Sequence, residues 1–290
     1  MIRTLAPTVA LLLTLAGSAA ADTIIITQNA ASTGGSGAYS TVLNGGARSW
    51  LTAIGAAELN NRLPVGSTIT GVSFRLASWQ AFASWPAGSA TFNNFDIYFG
   101  QAARAPGSLD LANANNNWGP DLTLCRSGPA IFGPAYFPGG AVSPNFNPFC
   151  TPITLATTYT YHGGDLLIMV RHTGNNGGNG NLDWVSSSFG TTAAQGIAVS
   201  SYTQNTTWGG GGNGGSIVMQ LTYTPPAATC YPNCDQSTSS PLLTANDFQC
   251  FLNKFAASDS AANCDGSTSA PILTANDFQC FLNLYAAGCS

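Results

Sequence analysis

Asn263-Cys-Asp-Gly-Ser-Thr-Ser-Ala-Pro-Ile-Leu-Thr-Ala-Asn-Asp-Phe-Gln-Cys-Phe-Leu-Asn283 nearly repeats a stretch that begins thirty residues earlier, Asn233-Cys-Asp-Gln-Ser-Thr-Ser-Ser-Pro-Leu-Leu-Thr-Ala-Asn-Asp-Phe-Gln-Cys-Phe-Leu-Asn253. A tandem copy at this spacing marks one supersecondary unit used twice, each copy too small to bury its apolar face alone. In each copy acidic and amide residues alternate, then give way to a helical pattern. Phe248, Phe251, Leu252 and Phe255 fall at i, i+3, i+4 and i+7. Phe278, Phe281, Leu282 and Tyr285 repeat that stripe. One apolar face per short helix is what a packed helix pair needs.

The alternating residues have a metal-loop grammar. In the second copy Asn263, Asp265 and Ser267 match ligand positions one, three and five of a calcium loop. The Ile272 carbonyl, Thr274 and Asp277 then fit the remaining positions. The first copy offers Asn233, Asp235, Ser237, the Leu242 carbonyl, Thr244 and Asp247. An all-oxygen set suits calcium better than a softer metal. The loops also depart from the standard. Asn263 to Asp277 spans fifteen residues, where the usual loop has about twelve. The first ligand is Asn, the fifth Ser, and Gln236 stands where the second copy has Gly266. Fewer charges predict weaker binding, more so in the first loop. Thr244-Ala-Asn-Asp247 and its copy also read as capping boxes, in which the carboxylate serves the helix start and needs no metal.

Eight cysteines divide two and six along the chain. At about 100° per residue, Cys250 and Cys280 point away from the apolar stripe and are free to bond a loop cysteine. The expected pairs are Cys234–Cys250 and Cys264–Cys280, with Cys230–Cys289 clasping the ends, one of many connectivities that six cysteines allow. Cys125 and Cys150 are expected to bridge across a 26-residue loop, contributing about 3–4 kcal/mol by the chain-entropy argument. Zinc is disfavoured, because no CxxC pair has a second to answer it and both histidines lie far off in sequence.

The segment from 230 to 290, with copies at 233–257 and 263–287, resembles a dockerin, the duplicated calcium-loop–helix module. The Asn-Cys-Asp openings, the Leu-Thr-Ala-Asn-Asp-Phe turns, the Cys-Phe-Leu helices and the closing Gly288-Cys289 resemble the cysteine-rich variant at the C-termini of exported planctomycete proteins. The resemblance covers about a fifth of the chain. It implies attachment to a cohesin-like or surface-anchoring partner. Asn253, Lys254 and Asn283 are candidates for that contact.

Working outward, Pro225 to Thr229 reads as a linker, since two prolines remove backbone donors and stop sheet pairing. Residues 22–224 alternate short strand-like runs with Gly, Pro and Asn clusters, which predicts a β-sandwich. Ile24–Ile26 opens the first strand; Val72, Phe74 and Leu76 alternate, as do Phe95, Ile97 and Phe99. Asp165–His172 reads as a central strand apolar on both faces, and Ile217 to Tyr223 as the last strand. Ser49 to Leu63 carries a weak helical pattern, interrupted by Gly55. The architecture loosely resembles jelly-roll-like modules of exported proteins. The expected fold is therefore mainly β, followed by a small helical module.

Arg3, the apolar run Val9–Leu15 and Ala19-Ala20-Ala21 read as a signal peptide over residues 1–21. That predicts a secreted or cell-surface protein, and no later run is long enough to span a bilayer. Only 7% of residues are charged, and the net charge is −4. Without a basic patch, nucleic acid is excluded as a partner.

The front domain names its chemistry less clearly. It has no GxSxG, no HExxH and no carboxylate pair picked out by spacing. His162 and His172 read as strand-end residues. The glycine runs at 34–35, 174–180 and 209–215 read as hairpin tips, because none follows a strand and opens a helix. Trp118, Trp184 and Trp208 are candidate platforms for stacking a sugar, although a buried indole is the default in a β core. The leading expectation is a display or recognition protein that is not an enzyme. The alternatives are a carbohydrate-binding module that takes a polysaccharide, and a secreted polysaccharide hydrolase.

Overall fold

The computed structural model describes residues 21–59, 62–186, 194–202, 215–226, 230–237 and 241–289. Residues 1–20 of the expected signal peptide, residues 227–229 of the linker, Trp208 and the glycine run up to residue 214 lie outside the described residues. The chain divides into two compact units, Met1–Pro226 and Ala227–Ser290.

The first unit is built from antiparallel sheets. One has four strands, ordered β1 (Asp22–Ile26), β14 (Met219–Thr224), β4 (Thr68–Phe74) and β9 (Ile153–Thr160). A second has five: β12 (Ala194–Val199), β3 (Arg48–Ile54), β10 (Leu166–His172), β6 (Phe95–Gln101) and β7 (Thr123–Arg126). Smaller sheets join β13 (Gly215–Ile217), β11 (Leu182–Ser186) and β2 (Gly37–Tyr39), and β5 (Ala90–Phe92) with β8 (Ala130–Phe132). Alternation explains the four-stranded sheet. Ile24, Ile26, Leu221 and Tyr223 point into the core while Thr23, Thr222 and Thr224 point out. One continuous apolar core takes Val72 and Phe74 from that sheet and Ile97, Phe99, Ile168 and Val170 from the five-stranded one.

The five-stranded sheet is covered on its other face as well. There Leu51, Leu167, Met169 and Ile197 pack with Leu109 and Ala114 of the long loop after β6. This accounts for the unbroken apolar run Leu166–Val170, which pairs with β3 on one side and β6 on the other. It also corrects the helical reading of Ser49 to Leu63. Trp50, Thr52 and Ile54 face the opposite side from Leu51 and Ala53, and all are buried. A strand between two neighbours satisfies both faces at once, so only Ala56–Leu59 (α1) forms a helical turn after Gly55. The last strand is likewise split at Val218 into β13 and β14.

The second unit carries α2 (Ala245–Ala256) and α3 (Ala275–Ala287). Its core is Phe251, Ala262 and Phe281, and the two phenyl rings stack with centroids 4.2 Å apart. Disulfides join Cys230 to Cys289, Cys234 to Cys250 and Cys264 to Cys280, with Cα separations of 5.4, 5.7 and 5.8 Å. Among the described residues no helix is long and apolar enough to cross a membrane.

The expected bridge between Cys125 and Cys150 is not formed; both are buried thiols. They serve different neighbours. Cys125 donates its thiol to the Thr123 carbonyl on its own strand, while the Cys150 sulfur accepts the Phe74 N–H of β4. Burial pushes their pKa values up, to about 11 for Cys125 and about 12 for Cys150.

Candidate functional site

Among the described residues the repeated loops share most of their hydrogen bonds. The Asn233 side-chain N–H donates to the Ser237 carbonyl at 2.9 Å, and Asn263 donates to Ser267 at 2.8 Å. Asp235 and Asp265 each accept the N–H of the serine two residues on, at 2.9 Å in both copies. The hydroxyls of Ser237 and Ser267 donate to the Leu242 and Ile272 carbonyls at 3.2 and 2.8 Å. Asp247 accepts Thr244 N–H at 2.7 Å and Asp235 N–H at 3.2 Å, and Asp277 repeats both distances with Thr274 and Asp265. The last ligand position of each loop is thus tied to the third.

Each loop runs into a helix whose start is satisfied by a complete capping box, Thr244 with Asp247 and Thr274 with Asp277. Both carboxylates are fully buried. Burial works against the charge of Asp277, but the N–H groups of Thr274 and Asp265 outweigh it and hold the carboxyl below its usual range. Asp247 behaves alike, with Thr244 and Asp235 as donors. The threonine hydroxyls accept Asn246 and Asn276 N–H at 3.2 Å, so the helix ends claim them first.

One atom separates the copies. In the first, the Ser237 hydroxyl reaches Asn233 Oδ1 at 3.5 Å. In the second, Asn263 Oδ1 is buried with no partner among the described residues. An orphaned buried oxygen costs about 1–3 kcal/mol unless something binds it. It belongs to the same loop as Asp265 and the Ile272 carbonyl, and a hard cation takes such oxygens. These oxygens are the ones that could hold a hard cation, and among the described residues the second loop offers one more unpartnered oxygen than the first. The exposed faces of the helices carry a repeated amide pair, joined on α3 by the exposed Leu282 and Leu284. Gln249 donates to Asn253 at 3.0 Å and Gln279 to Asn283 at 2.9 Å, with these residues exposed and Lys254 half-buried.

In the front unit six carboxylates are engaged one by one, while Asp22 stands exposed at the start of β1. Asp183 pairs with Arg75 at 2.7 Å, both fully buried, and Arg75 also donates to the Ala30 and Thr33 carbonyls. Asp96 pairs with Arg171 at 3.0 Å and accepts the Tyr202 hydroxyl. Asp121 accepts Tyr159, Asp165 accepts the Ala56 N–H, Asp110 closes its own loop, and Glu58 pairs with Arg62. A hydrolytic carboxylate pair would need two free oxygens facing one space. These acids instead hold separate pieces of backbone.

His172 is buried with both ring nitrogens satisfied, one by the Thr41 carbonyl at 2.8 Å and the other by the Gly174 N–H at 3.0 Å. Burial lowers its pKa to about 4. His162 is exposed and packs edge-on to Tyr159.

No protein-family model matches the chain, and no curated protein matches it.

The indoles are placed by glycines. Trp184 lies between Gly37 and Gly215, where a Cβ would meet its ring at 3.2 and 2.5 Å. Trp118 covers Gly100 and packs near Tyr98. Both are half-buried against the protein itself. Among the described residues the most open indole is Trp79, 51% exposed and edge-on to Phe82, and no pattern in the sequence marked it. A recess of about 580 Å3 between α1 and the turn at 163–164 is lined by Leu59, Leu63, Val65 and Tyr161 and has no charged lining. The Tyr161 hydroxyl is taken by the Gly164 carbonyl.

Proposed function

We propose that this chain is an exported display protein. Its front domain, a jelly-roll-like β-sandwich over residues 22–224, presents a recognition surface. Its dockerin-like module, residues 230–290, attaches that surface to a cohesin-like or surface-anchoring partner. The observation that carries the reading is the hydrogen-bond pattern that the two loop–helix copies share among the described residues. A duplicated unit that keeps the same oxygens inward and the same Gln–Asn pair outward on each helix has two similar faces to offer a partner, differing where Lys254 of the first copy is replaced by Leu284 of the second. Two larger sheets that share one core support the sandwich. Three disulfides in a unit of this size fit an oxidising compartment.

Calcium would be held by Asn263, Asp265, Ser267, the Ile272 carbonyl and Asp277, with Thr274 at the rim, and by the corresponding residues of the first loop. When bound it supplies no reaction chemistry; it fastens the loop to the start of the helix. Asn263 offers its orphaned oxygen, and the disulfide holds Cys264 beside it.

Calorimetric titration of the full chain with calcium tests the loops. The expected result is binding that weakens at least tenfold in Asn263→Ala, while Asn233→Ala has a smaller effect. Absence of any calcium heat would remove the metal from the proposal. A pull-down from surface extracts with the full chain tests attachment. Retention of one defined partner, lost when Asn253 and Asn283 are both replaced by Arg, is the expected outcome. Retention of none would overturn the attachment role.

A further inference from the structure

The geometry points to a neutral glycan site in the front domain, at a cleft lined by carboxamides and hydroxyls and independent of the tail. The open cleft measures about 370 Å3 and is lined by Gly45, Thr91, Asn93 and the run Thr173 to Asn176. That volume lies within the usual range of small-molecule sites. No charged side chain lines it, so an ionic ligand finds no counter-charge. Amides, hydroxyls and backbone line it together with the threonine methyls, a mixed surface with no large apolar side chain.

What the cleft offers is unspent hydrogen-bonding capacity. Asn176 Oδ1 accepts the Thr91 N–H at 2.8 Å. The other end of that amide is thereby fixed, and its two donors have no partner among the described residues. The exposed Asn93 amide and the Thr91 hydroxyl are likewise without partners among the described residues. A sugar hydroxyl both donates and accepts, and this mixed set answers both functions.

The walls are held in place before any ligand arrives. Gly45 N–H donates to Asn179 at 2.8 Å, and Asn175 donates to the Asn44 carbonyl at 2.9 Å while accepting Gly177 N–H at 2.7 Å. The Trp85 indole donates to the Gly177 carbonyl at 3.2 Å. Gly177 is pressed so close to β5 that a Cβ there would stand 2.7 Å from the Ala90 Cβ. Gly174, at φ +88°, is held from below by His172. Fixed walls reduce the ordering cost of binding.

Affinity electrophoresis of the full chain through gels containing β-glucan, xylan or galactomannan tests the site, with polygalacturonate as the anionic control. Retardation by at least one neutral polymer is expected. Asn93→Ala and Asn176→Asp should each weaken it about three- to tenfold, the loss of one or two hydrogen bonds. Asn176→Asp keeps the acceptor for Thr91 and replaces the donors with a charged carboxylate oxygen, so Asn93→Ala serves as the charge-neutral comparison; unchanged melting curves check that both variants fold. Retardation should persist when calcium is chelated, which separates this site from the attachment module. No retardation in any neutral gel, equal retardation of both variants and the parent, or stronger retardation by polygalacturonate would each overturn the proposal.

Discussion

Acidification should weaken the front domain through His172, well above the pH at which most carboxylates titrate. The ring is fully buried between Phe92 and Phe95, with centroids 5.0 and 6.0 Å away. Its Nε2–H donates to Thr41 and its Nδ1 accepts from Gly174. A proton on Nδ1 would face the Gly174 N–H, donor against donor. Burial, with repulsion from Arg48, lowers the pKa to about 4 despite the favourable Thr41 contact. In the unfolded chain the ring titrates near pH 6.5. Between these values the unfolded state holds a proton that the folded state refuses, so stability is complete above about pH 6.5 and falls as pH drops toward 4. Each pH unit in that window costs about 1.4 kcal/mol, and the whole window about 3 kcal/mol. Urea unfolding followed by Trp fluorescence reads this domain alone, because all six indoles precede residue 226. Measured from pH 7 to pH 4, the parent should lose about 3 kcal/mol more than His172→Asn, whose amide keeps an acceptor for Gly174 but does not titrate. Burial raises the pKa of Asp183, which acts in the opposite direction at the acid end, and the comparison with the variant cancels it. Parallel pH profiles for parent and variant would refute the reasoning.

Further expectations follow from other buried contacts. Asp183→Asn should cost about 3–5 kcal/mol, since it leaves the Arg75 guanidinium buried without its counter-charge; an unfolding midpoint unchanged from the parent would contradict that role. Phe281→Ala should cost about 3–5 kcal/mol in the second unit by emptying the space against Phe251, seen as rapid proteolysis of residues after 226 while Trp fluorescence is unchanged. Titration with a thiol reagent should find no reactive thiol in the native protein and two after denaturation, because Cys125 and Cys150 are buried with raised pKa values; four or more after denaturation would mean that a tail disulfide is absent.

Much of this was legible in the residues, for identifiable reasons. Period two exposed the last strand at Met219–Thr224, because side chains that alternate between core and surface write their environment into the sequence. Ile24–Ile26 was legible as a β-branched run, and Phe95–Phe99 as a strand although Asp96 and Tyr98 between its apolar residues are buried too. The stripe Phe248, Phe251, Phe255 did the same for α2, and its copy for α3. Ser49 to Leu63 misled because β3 is buried on both faces, which erases alternation, while Ala56, Ala57 and Glu58 supply helix formers just beyond it. Cys125 and Cys150 misled because an even cysteine count says nothing about direction, and each sulfur faces a different strand. The carboxamide cleft was hidden for another reason. Its lining comes from residues 45, 91–93 and 173–176, and only the fold brings them together. Asn and Gly there read as loop composition, and their fixed orientations are consequences of tertiary hydrogen bonds such as Asn176 to Thr91.

The clasp between Cys230 and Cys289 has a mechanical consequence. It joins the entry of the second unit to the end of α3 across 5.4 Å. Tension arriving along the linker therefore divides at once between the first loop and the last helix. Neither copy can be peeled away before the other, and the covalent ring carries the load in place of the stacked phenyl rings. A module gripped by its helix faces would resist pulling in shear, the geometry in which many weak contacts must fail together.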